Sequence, residues 1–234
     1  MKEHDLYAQI FRTTDALIVV LDPEGRIVQF NPSCEQLTGY RFDEVKGRRV
    51  WDFLLLPEET AAVRAVFENL RQGRFPSHFT NFWLVKSGER RFIEWSNSVV
   101  LGDRGEVELV IGTGIDVTKK RAAMEALAAS EARQRALLDG IPDAVWLKDA
   151  EGRYIEVNRG FRERSGAGSA ELAGRTDDEI YPIELADACR ATDREVLASG
   201  LPMRKQRKVM LQGKERWVEV IKVPVTNGAG KITG

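Results

Sequence analysis

Two stretches decide the fold: DPEGRIVQFN at residues 22–31 and DAEGRYIEVN at residues 149–158. The similarity continues downstream, where GERRFIE at residues 88–94 is matched by GKERWVE at residues 213–219. A period of about 125 residues is the length of a whole domain and far exceeds that of a solenoid repeat. The chain therefore consists of two copies of one domain.

The same order of elements is predicted in each copy. In the first, Ala16–Leu21 is a Val- and Ile-rich strand, Asp22–Gly25 has the Pro and Gly positions of a type I turn, and Asn31 precedes a Pro as a helix cap does. An amphipathic helix begins at Pro57, and three long strands follow, near residues 76–86, 89–101 and 106–117. This order predicts an α+β fold in which each domain is an antiparallel sheet of about five strands with flanking helices.

The domain bounds that we predict are residues 1–117, a linker helix at 118–139, and residues 140–234. The second copy has no counterpart of the last strand, so we expect it to be truncated before that strand. The linker lacks Gly and Pro and is dense in Ala, Glu, Arg and Lys, which favours one continuous helix. Its apolar positions form a broken seam, which suits a weak parallel coiled coil, the favoured reading, or a solvated spacer. The coiled coil predicts a homodimer.

Composition narrows the class of protein. The formal net charge of −1 gives no reason to expect nucleic acid or an anionic membrane as partner. No apolar run is long enough for a membrane span, and the N-terminus is polar, so we expect a cytoplasmic protein. Cys34 and Cys189 lie in different copies, and we expect two reduced, mostly buried thiols.

Three strings resemble the PAS family: NPSCEQLTGY at residues 31–40, EVKGR at 44–48 and GTGIDVT at 112–118. The second copy lacks the Tyr of the first string. It resembles PAS domains that contain the pattern W-x-E-x-x-K-x-P, which Trp217, Glu219, Lys222 and Pro224 match here. The resemblance covers nearly the whole chain and implies a sensory input module.

Such tandems usually precede a histidine kinase, a diguanylate cyclase or phosphodiesterase, or a transcriptional output, and none of these is visible here. No P-loop, kinase-type His helix or cluster of acid/base residues is present in the sequence. We therefore expect no enzyme, no catalytic residues and no metal site in this chain. The alternative to a sensor is a ligand-free tandem that serves for dimerisation or spacing.

A ligand cavity is predicted in the first copy from the pleat of two strands. If Ser87-Gly88 is a two-residue hairpin turn, alternation places an apolar set with a few polar groups on the inner face. This set is His78, Thr80, Phe82, Leu84, Ile93, Trp95, Asn97 and Val99. The other face then holds Trp83 and Phe92, which we expect to meet the Leu6–Phe11 helix or a partner subunit. The competing interpretation of the inner set is a filled core.

No cofactor is identified by the sequence. His78 is a competent haem ligand in principle, although haem-binding PAS domains commonly ligate from the preceding helix, which here lacks His. Photochemistry of the LOV type needs a Cys that residues 47–53 lack. Noncovalent flavin stacking on a Trp stays open.

The same hairpin rule at Gln212-Gly213 gives the second copy a basic inner face. This set is Met203, Lys205, Arg207, Val209, Val218, Val220 and Lys222. It suggests an anionic ligand such as a carboxylate, unless the basic side chains reach solvent or the register slips by one residue. Finally, Asp116 and Thr118 lie where the last strand of the first copy enters the linker helix, and we expect them to relay a signal.

Overall fold

The computed structural model describes residues 3–74, 77–165, 172–211 and 214–234. Internal contacts divide the chain into one unit that ends at Ala126 and another that begins at Leu127. The turn predicted at Gln212-Gly213 lies outside the described residues.

The first unit begins with a helix, a hairpin and three short helical segments, followed by one long helix and three strands. Its elements are α1 (Glu3–Thr13), β1 (Leu17–Leu21), β2 (Ile27–Phe30), α2 (Pro32–Thr38), α3 (Phe42–Val45), a 3-10 turn (Val50–Asp52), α4 (Pro57–Arg71), β3 (Ser77–Leu84), β4 (Arg90–Leu101) and β5 (Val107–Asp116). The strands form one five-stranded antiparallel sheet in the order β2-β1-β5-β4-β3. The last strand in sequence therefore joins the two hairpins.

Local chemistry explains the N-terminal hairpin and the helix after it. Gly25 adopts a φ of 78°, a value that favours glycine, and its amide donates to the Asp22 carbonyl over 2.9 Å. Asn31 caps α2, because its Oδ1 accepts the Cys34 amide at 3.1 Å, and the Pro at position 32 fills the first helical position. The turn and the cap predicted from the sequence are confirmed.

The core of the first unit lies between the sheet and the helical segments. Ile27, Leu54 and Ile93 are almost fully buried there, and Leu70 of α4 joins them. Trp83 also belongs to this core, since its ring lies 4.7 Å from Trp95 and 6.2 Å from Phe30. The prediction that Trp83 faces outward is therefore wrong.

The cause of this error is the β3–β4 turn. Val85 pairs with Glu89 through backbone hydrogen bonds, so the loop comprises the three residues Lys86, Ser87 and Gly88, the last with a φ of 86°. Three-residue loops that end in a left-handed Gly are a common alternative to the two-residue turn. The extra residue shifts the β3 register by one and exchanges its faces, whereas the predicted faces of β4 are confirmed.

The linker helix, α5 (Thr118–Gly140), runs without interruption and matches the predicted range to within one residue. None of its residues is buried within this chain, and Met124, Leu127 and Leu137 are more than half exposed. The helix is confirmed, and the coiled coil stays a prediction.

The second unit repeats the order of elements after α5. These elements are β6 (Trp146–Lys148), β7 (Tyr154–Val157), α6 (Arg159–Ser165), a 3-10 turn (Asp177–Glu179), α7 (Ile183–Ser199), β8 (Met203–Leu211) and β9 (Lys214–Lys222). Among the described residues the strands form two separate hairpins, β6-β7 and β8-β9. The predicted β8–β9 register is confirmed, with Arg207 opposite Val218 and Lys205 opposite Val220.

Candidate functional site

The first unit encloses a cavity of about 70 Å³ between its sheet and α4. Its walls are mostly aliphatic and aromatic. The lining residues are Val19, Leu21, Val50, Trp51, Leu55, Val63, Val66, Phe67, Leu70, Phe79, Asn81, Trp83, Trp95, Asn97, Val110 and Gly112. Small-molecule sites commonly occupy about 300–1,000 Å³, so this cavity accommodates only a few heavy atoms without rearrangement.

Strand alternation and one glycine shape this cavity. β4 contributes Trp95 and Asn97 from its inner face, as predicted, and β5 contributes Gly112. A Cβ at Gly112 would lie 3.2 Å from Val19 Cγ1 and 3.3 Å from Asn97 Oδ1, so any side chain there would crowd the cavity. The absence of a side chain at position 112 keeps this part of the cavity open.

Few polar groups reach the cavity. The Asn81 amide nitrogen donates to the Phe82 carbonyl over 3.1 Å, and that of Asn97 donates to the Ser77 carbonyl over 3.4 Å. The Trp51 indole Nε1 is buried and has no hydrogen-bond partner among the described residues. A buried donor without a partner is costly, so an acceptor in the cavity would be stabilising.

Of the eight residues predicted for the inner face of the first copy, Trp95 and Asn97 line this cavity and the other six do not. His78 and Thr80 are exposed and Phe82 half-buried, because the one-residue shift places them on the outer face of β3. Phe79, Asn81 and Trp83 take their places, and only the length of the β3–β4 loop could have revealed them. An outward His78 cannot ligate a haem held in the core, and a haem or flavin would require the cavity to expand several-fold.

The outer face of the sheet carries Phe92, as predicted. Its ring lies 4.8 Å from Phe82, and the Arg121 guanidinium of α5 lies 4.3 Å from its centroid. The Leu6–Phe11 helix exists as part of α1, with Leu6 and Ile10 exposed. The aromatic surface at Phe92 is thus partly covered by the start of α5.

Asp116 and Thr118 lie at the junction of β5 with α5. The Thr118 hydroxyl accepts the Phe92 amide at 2.7 Å and donates to Asp116 Oδ1 at 2.5 Å. Asp116 Oδ1 also accepts the Thr118 amide at 2.9 Å, and Arg91 lies 3.6 Å from the other carboxylate oxygen. The first turn of α5 is therefore bonded to β4, the strand that lines the cavity.

Charged side chains occupy the interior of the second unit. Lys148 Nζ lies 2.6 Å from Asp177 and 2.8 Å from Asp193, and Lys222 Nζ lies 2.5 Å from Asp193. Tyr154 donates its hydroxyl to Asp177 over 2.7 Å. No local sequence pattern identifies Lys148, Tyr154 or Asp177 as members of this network, because their hydrogen-bond partners lie 23 to 45 residues away in the chain.

The surroundings of Asp193 and Tyr154 in this network shift the pKa of both side chains. Burial opposes the ionisation of Asp193, but the hydrogen bonds from Lys148 and Lys222 outweigh it and lower the Asp193 pKa. Burial and the hydrogen bond to Asp177 raise the Tyr154 pKa, so this hydroxyl keeps its proton. Salt bridges and hydrogen bonds among Lys148, Lys222, Asp177, Asp193 and Tyr154 therefore join the strands of the second unit to α7 and the 3-10 turn.

The predicted basic face of the second copy is present, but its three basic residues differ in burial and in bonding partners. Lys222 points inward and is neutralised by Asp193, with further bonds to the Cys189 carbonyl at 3.0 Å and the Thr192 hydroxyl at 2.8 Å. Lys222 is therefore unavailable for an anionic ligand. Arg207 is half-buried against α7, and Lys205 on the same face is exposed.

Both cysteines are buried and free of disulfide bonds. Cys34 is fully buried, and burial raises its pKa to about 12. In the part of the chain that the structure describes, no three His, Cys, Asp or Glu side chains cluster as metal ligands would. Among the same residues, no helix combines the length and the hydrophobicity that a membrane span requires.

Comparison with known proteins identifies both units. Residues 14–119 match a family model described as a PAS domain, and residues 138–234 match one described as a PAS fold. The two matches together leave only residues 1–13 and 120–137 outside. The resemblance inferred from the sequence strings is confirmed.

Three relatives illustrate the kind of protein in which such domains occur. The chain is 25% identical over 227 residues to the biofilm dispersion protein BdlA of Pseudomonas aeruginosa, covering 92% of this chain and 51% of that protein. It is 31% identical over 123 residues to the cyclic di-GMP phosphodiesterase PdeR of Escherichia coli, covering 51% of this chain and 18% of that protein. It is 29% identical over 109 residues to the methanogenesis regulatory histidine kinase FilI of Methanothrix harundinacea, covering 46% of this chain and 12% of that protein.

The chain thus spans about half the length of the first relative and less than a fifth of the other two. The matched parts are sensory domains, and no catalytic domain is matched here. The chain belongs to the PAS family, with one PAS domain in each half and a long helix between them.

Proposed function

We propose that the first unit senses a small, largely apolar molecule in its cavity and passes the signal to α5. The observation that carries this proposal is the bond between the Thr118 hydroxyl and the Phe92 amide. Phe92 directly precedes Ile93, and Trp95 and Asn97 on the same strand line the cavity. A ligand that displaces Trp95 therefore acts on the first turn of α5 through the three-residue step of strand from Trp95 to Phe92 and this hydrogen bond.

The lining defines the class of ligand. Aliphatic and aromatic walls favour an apolar body, and the unpartnered Trp51 Nε1 favours one hydrogen-bond acceptor such as a carbonyl or hydroxyl oxygen. The size of the cavity favours a molecule of a few heavy atoms. A redox signal through Cys34 is disfavoured, because a buried thiol of raised pKa reacts slowly.

Hydrogen exchange of the complete chain tests this function. Short-chain alcohols and ketones, such as 1-propanol and 2-butanone, serve as probes, and amide exchange is followed at residues 118–126. We expect ligand-dependent exchange there in the wild type and its loss in Val66→Phe, which fills the cavity. Val100→Phe, on the outer face of β4, is the matched control and should respond like the wild type. Exchange that does not respond to any probe, or that responds equally in Val66→Phe, would contradict the proposal.

The output that receives the signal is proposed from the relatives. PdeR is named as a cyclic di-GMP phosphodiesterase and FilI as a histidine kinase, so we infer an output of the cyclic di-GMP or histidine kinase type. In a full-length signalling protein, Thr118→Val should abolish the dependence of that output on ligand while leaving its basal level measurable. An output still regulated normally in this variant would exclude the Thr118 route.

A second candidate is a ligand-free tandem that dimerises through α5. The exposed Met124, Leu127 and Leu137 favour it, as does the small cavity. Sedimentation equilibrium separates the two: a dimer that dissociates in Leu127→Glu, together with no response to any probe, supports the structural role. A dimer that also binds ligand is compatible with sensing, because coupling requires only that the ligand binds two states with different affinity.

A further inference from the structure

Arg207 is a half-buried cation of the second unit that has no anionic partner among the described residues. Arg207 lies on β8, and both terminal nitrogens of its guanidinium lie 3.6 Å from the Cys189 sulfur. Its Nε is buried without a hydrogen-bond partner, and no carboxylate among the described residues forms an ion pair with it. A thiol is a weak acceptor, so this contact satisfies the guanidinium poorly.

The balance of charges in the interior of the second unit also leaves Arg207 without a counter-ion among the described residues. Lys148 pairs with Asp177 and Asp193, and Lys222 pairs with Asp193. Two lysines and two carboxylates therefore balance each other in charge. Arg207 therefore adds a positive charge that no carboxylate of the described residues balances. A guanidinium that is half-buried without a counter-ion is unfavourable, and an anion placed beside it would be stabilising.

Lys205 extends this positive surface toward solvent. It lies two residues before Arg207 on the same face of β8, is exposed, and has no hydrogen-bond or ion-pair partner among the described residues. Opposite these two side chains, β9 presents Val218 and Val220, both half-buried. The half-buried guanidinium thus lies between an exposed cation on its own strand and two half-buried apolar side chains on the neighbouring strand.

We propose that Arg207 and Lys205 bind a small organic carboxylate in the second unit. The planar fork of the guanidinium matches the two oxygens of a carboxylate, and the valines can pack against a short aliphatic chain. A tetrahedral phosphate would leave oxygens facing Val218 and Val220, where no polar group is available to them. This site is separate from the cavity of the first unit, so either proposal can fail alone.

Calorimetric titration of the complete chain with propionate tests the site, with inorganic phosphate at equal ionic strength as the competing anion. We expect saturable propionate binding, weakened about tenfold or more in Arg207→Gln, because one bidentate charged pair is lost. Lys205→Gln should weaken binding several-fold. This exposed change is safe for folding, so it keeps the test valid if the Arg207 variant proves unstable.

The matched control is Arg204→Gln, since Arg204 lies on the opposite face of the same strand, where it pairs with Glu219 at 3.7 Å. This variant should bind propionate like the wild type. The carboxylate site is overturned if propionate does not bind saturably, if phosphate binds as tightly, or if Arg207→Gln and Lys205→Gln retain wild-type affinity. An equal loss in Arg204→Gln would show a nonspecific charge effect and would also overturn it.

Discussion

The hydroxyl of Thr118, the first residue of α5, accepts a hydrogen bond from the backbone amide of Phe92, which lies 26 positions earlier on β4. The Phe92 carbonyl in turn accepts the Val117 amide at 2.9 Å, so both backbone groups of Phe92 are bonded to the β5–α5 junction. The Thr118 side chain thus bonds both to β4, through the Phe92 amide, and to Asp116 at the end of β5. This arrangement makes the start of α5 sensitive to the position of β4.

Thr118→Val should loosen this junction without altering the core. The variant loses the acceptor for the Phe92 amide and the donor to Asp116, which we expect to lower the free energy of unfolding by about 1–2 kcal/mol. Amide exchange at Phe92 and in the first turn of α5 should accelerate. Thr113→Val, at an exposed position of β5, should change stability by less than about 0.5 kcal/mol. Unchanged exchange in Thr118→Val would show that the bond does not hold the helix start.

Asn158 fixes the C-terminal end of α5 to the second unit. Its side chain nitrogen donates to the carbonyls of Leu138 at 3.0 Å, Ile141 at 3.0 Å and Asp143 at 2.8 Å. Its Oδ1 accepts the amides of Val145 and Phe161, each at 2.9 Å. Asn158→Asp should destabilise by about 2 kcal/mol, since a carboxylate cannot donate to carbonyls, the lost amide has two N–H donors and the net value of each bond is about 1 kcal/mol.

Urea denaturation measures this change, and exchange of residues 127–140 localises it. Asn31 is the equivalent residue of the first unit, where its nitrogen donates to one carbonyl, that of Ala16, at 2.8 Å. We therefore expect Asn31→Asp to be milder than Asn158→Asp. Equal effects would show that the bonds to the end of α5 contribute little.

The stability of the second unit should fall in acid because of Asp193. Its pKa is lowered in the folded state, so its contribution is present above the unfolded value of about 3.9 and is lost as the pH falls through the folded value. Asp193→Asn should be less stable at pH 7 and should show a weaker loss of stability below about pH 4. Exchange of α7 amides from pH 7 to pH 3 measures both effects.

Glu195→Gln is the control for this experiment, because Glu195 is exposed on the same helix and has no ion-pair partner among the described residues. It should keep the wild-type dependence on pH. An Asp193→Asn protein that loses stability in acid as steeply as the wild type would assign the acid sensitivity to other groups.

Cys34 should resist chemical modification in the folded protein. It is fully buried, and its pKa of about 12 leaves almost no thiolate at neutral pH. We expect iodoacetamide at pH 8 to modify Cys34 only after denaturation in urea, as followed by mass spectrometry of the intact chain and its peptides. Rapid modification of the native protein would reopen the case for a thiol sensor in the first unit.

Much of the fold could be predicted from local patterns. The duplicated DPEGRIVQFN and DAEGRYIEVN strings identify the two domains, because a turn with Gly25 in a left-handed conformation and an Asn cap are determined by neighbouring residues. The continuous α5 was predictable for the same reason, since helix propensity is summed over a contiguous segment. The β8–β9 register also followed from its turn sequence.

The site was less predictable, because it depends on packing between distant segments. Lys86-Ser87-Gly88 permits a two-residue or a three-residue loop, and the choice exchanges the two faces of β3. Trp83 settles it, because burial against Phe30 and Trp95 outweighs any local preference of the turn.

The sequence by itself therefore determined the two PAS domains, their hairpins and the helix between them, since these depend on residues close together in the chain. Only the tertiary structure decided which side chains line the cavity and which cations are free. Lys222 and Arg207 look equivalent as alternating basic residues on one face, yet Asp193 of α7 lies beside Lys222 and leaves Arg207 without a carboxylate. The reason is that a counter-charge is supplied by whichever helix packs on the strand, and that contact joins residues 29 positions apart.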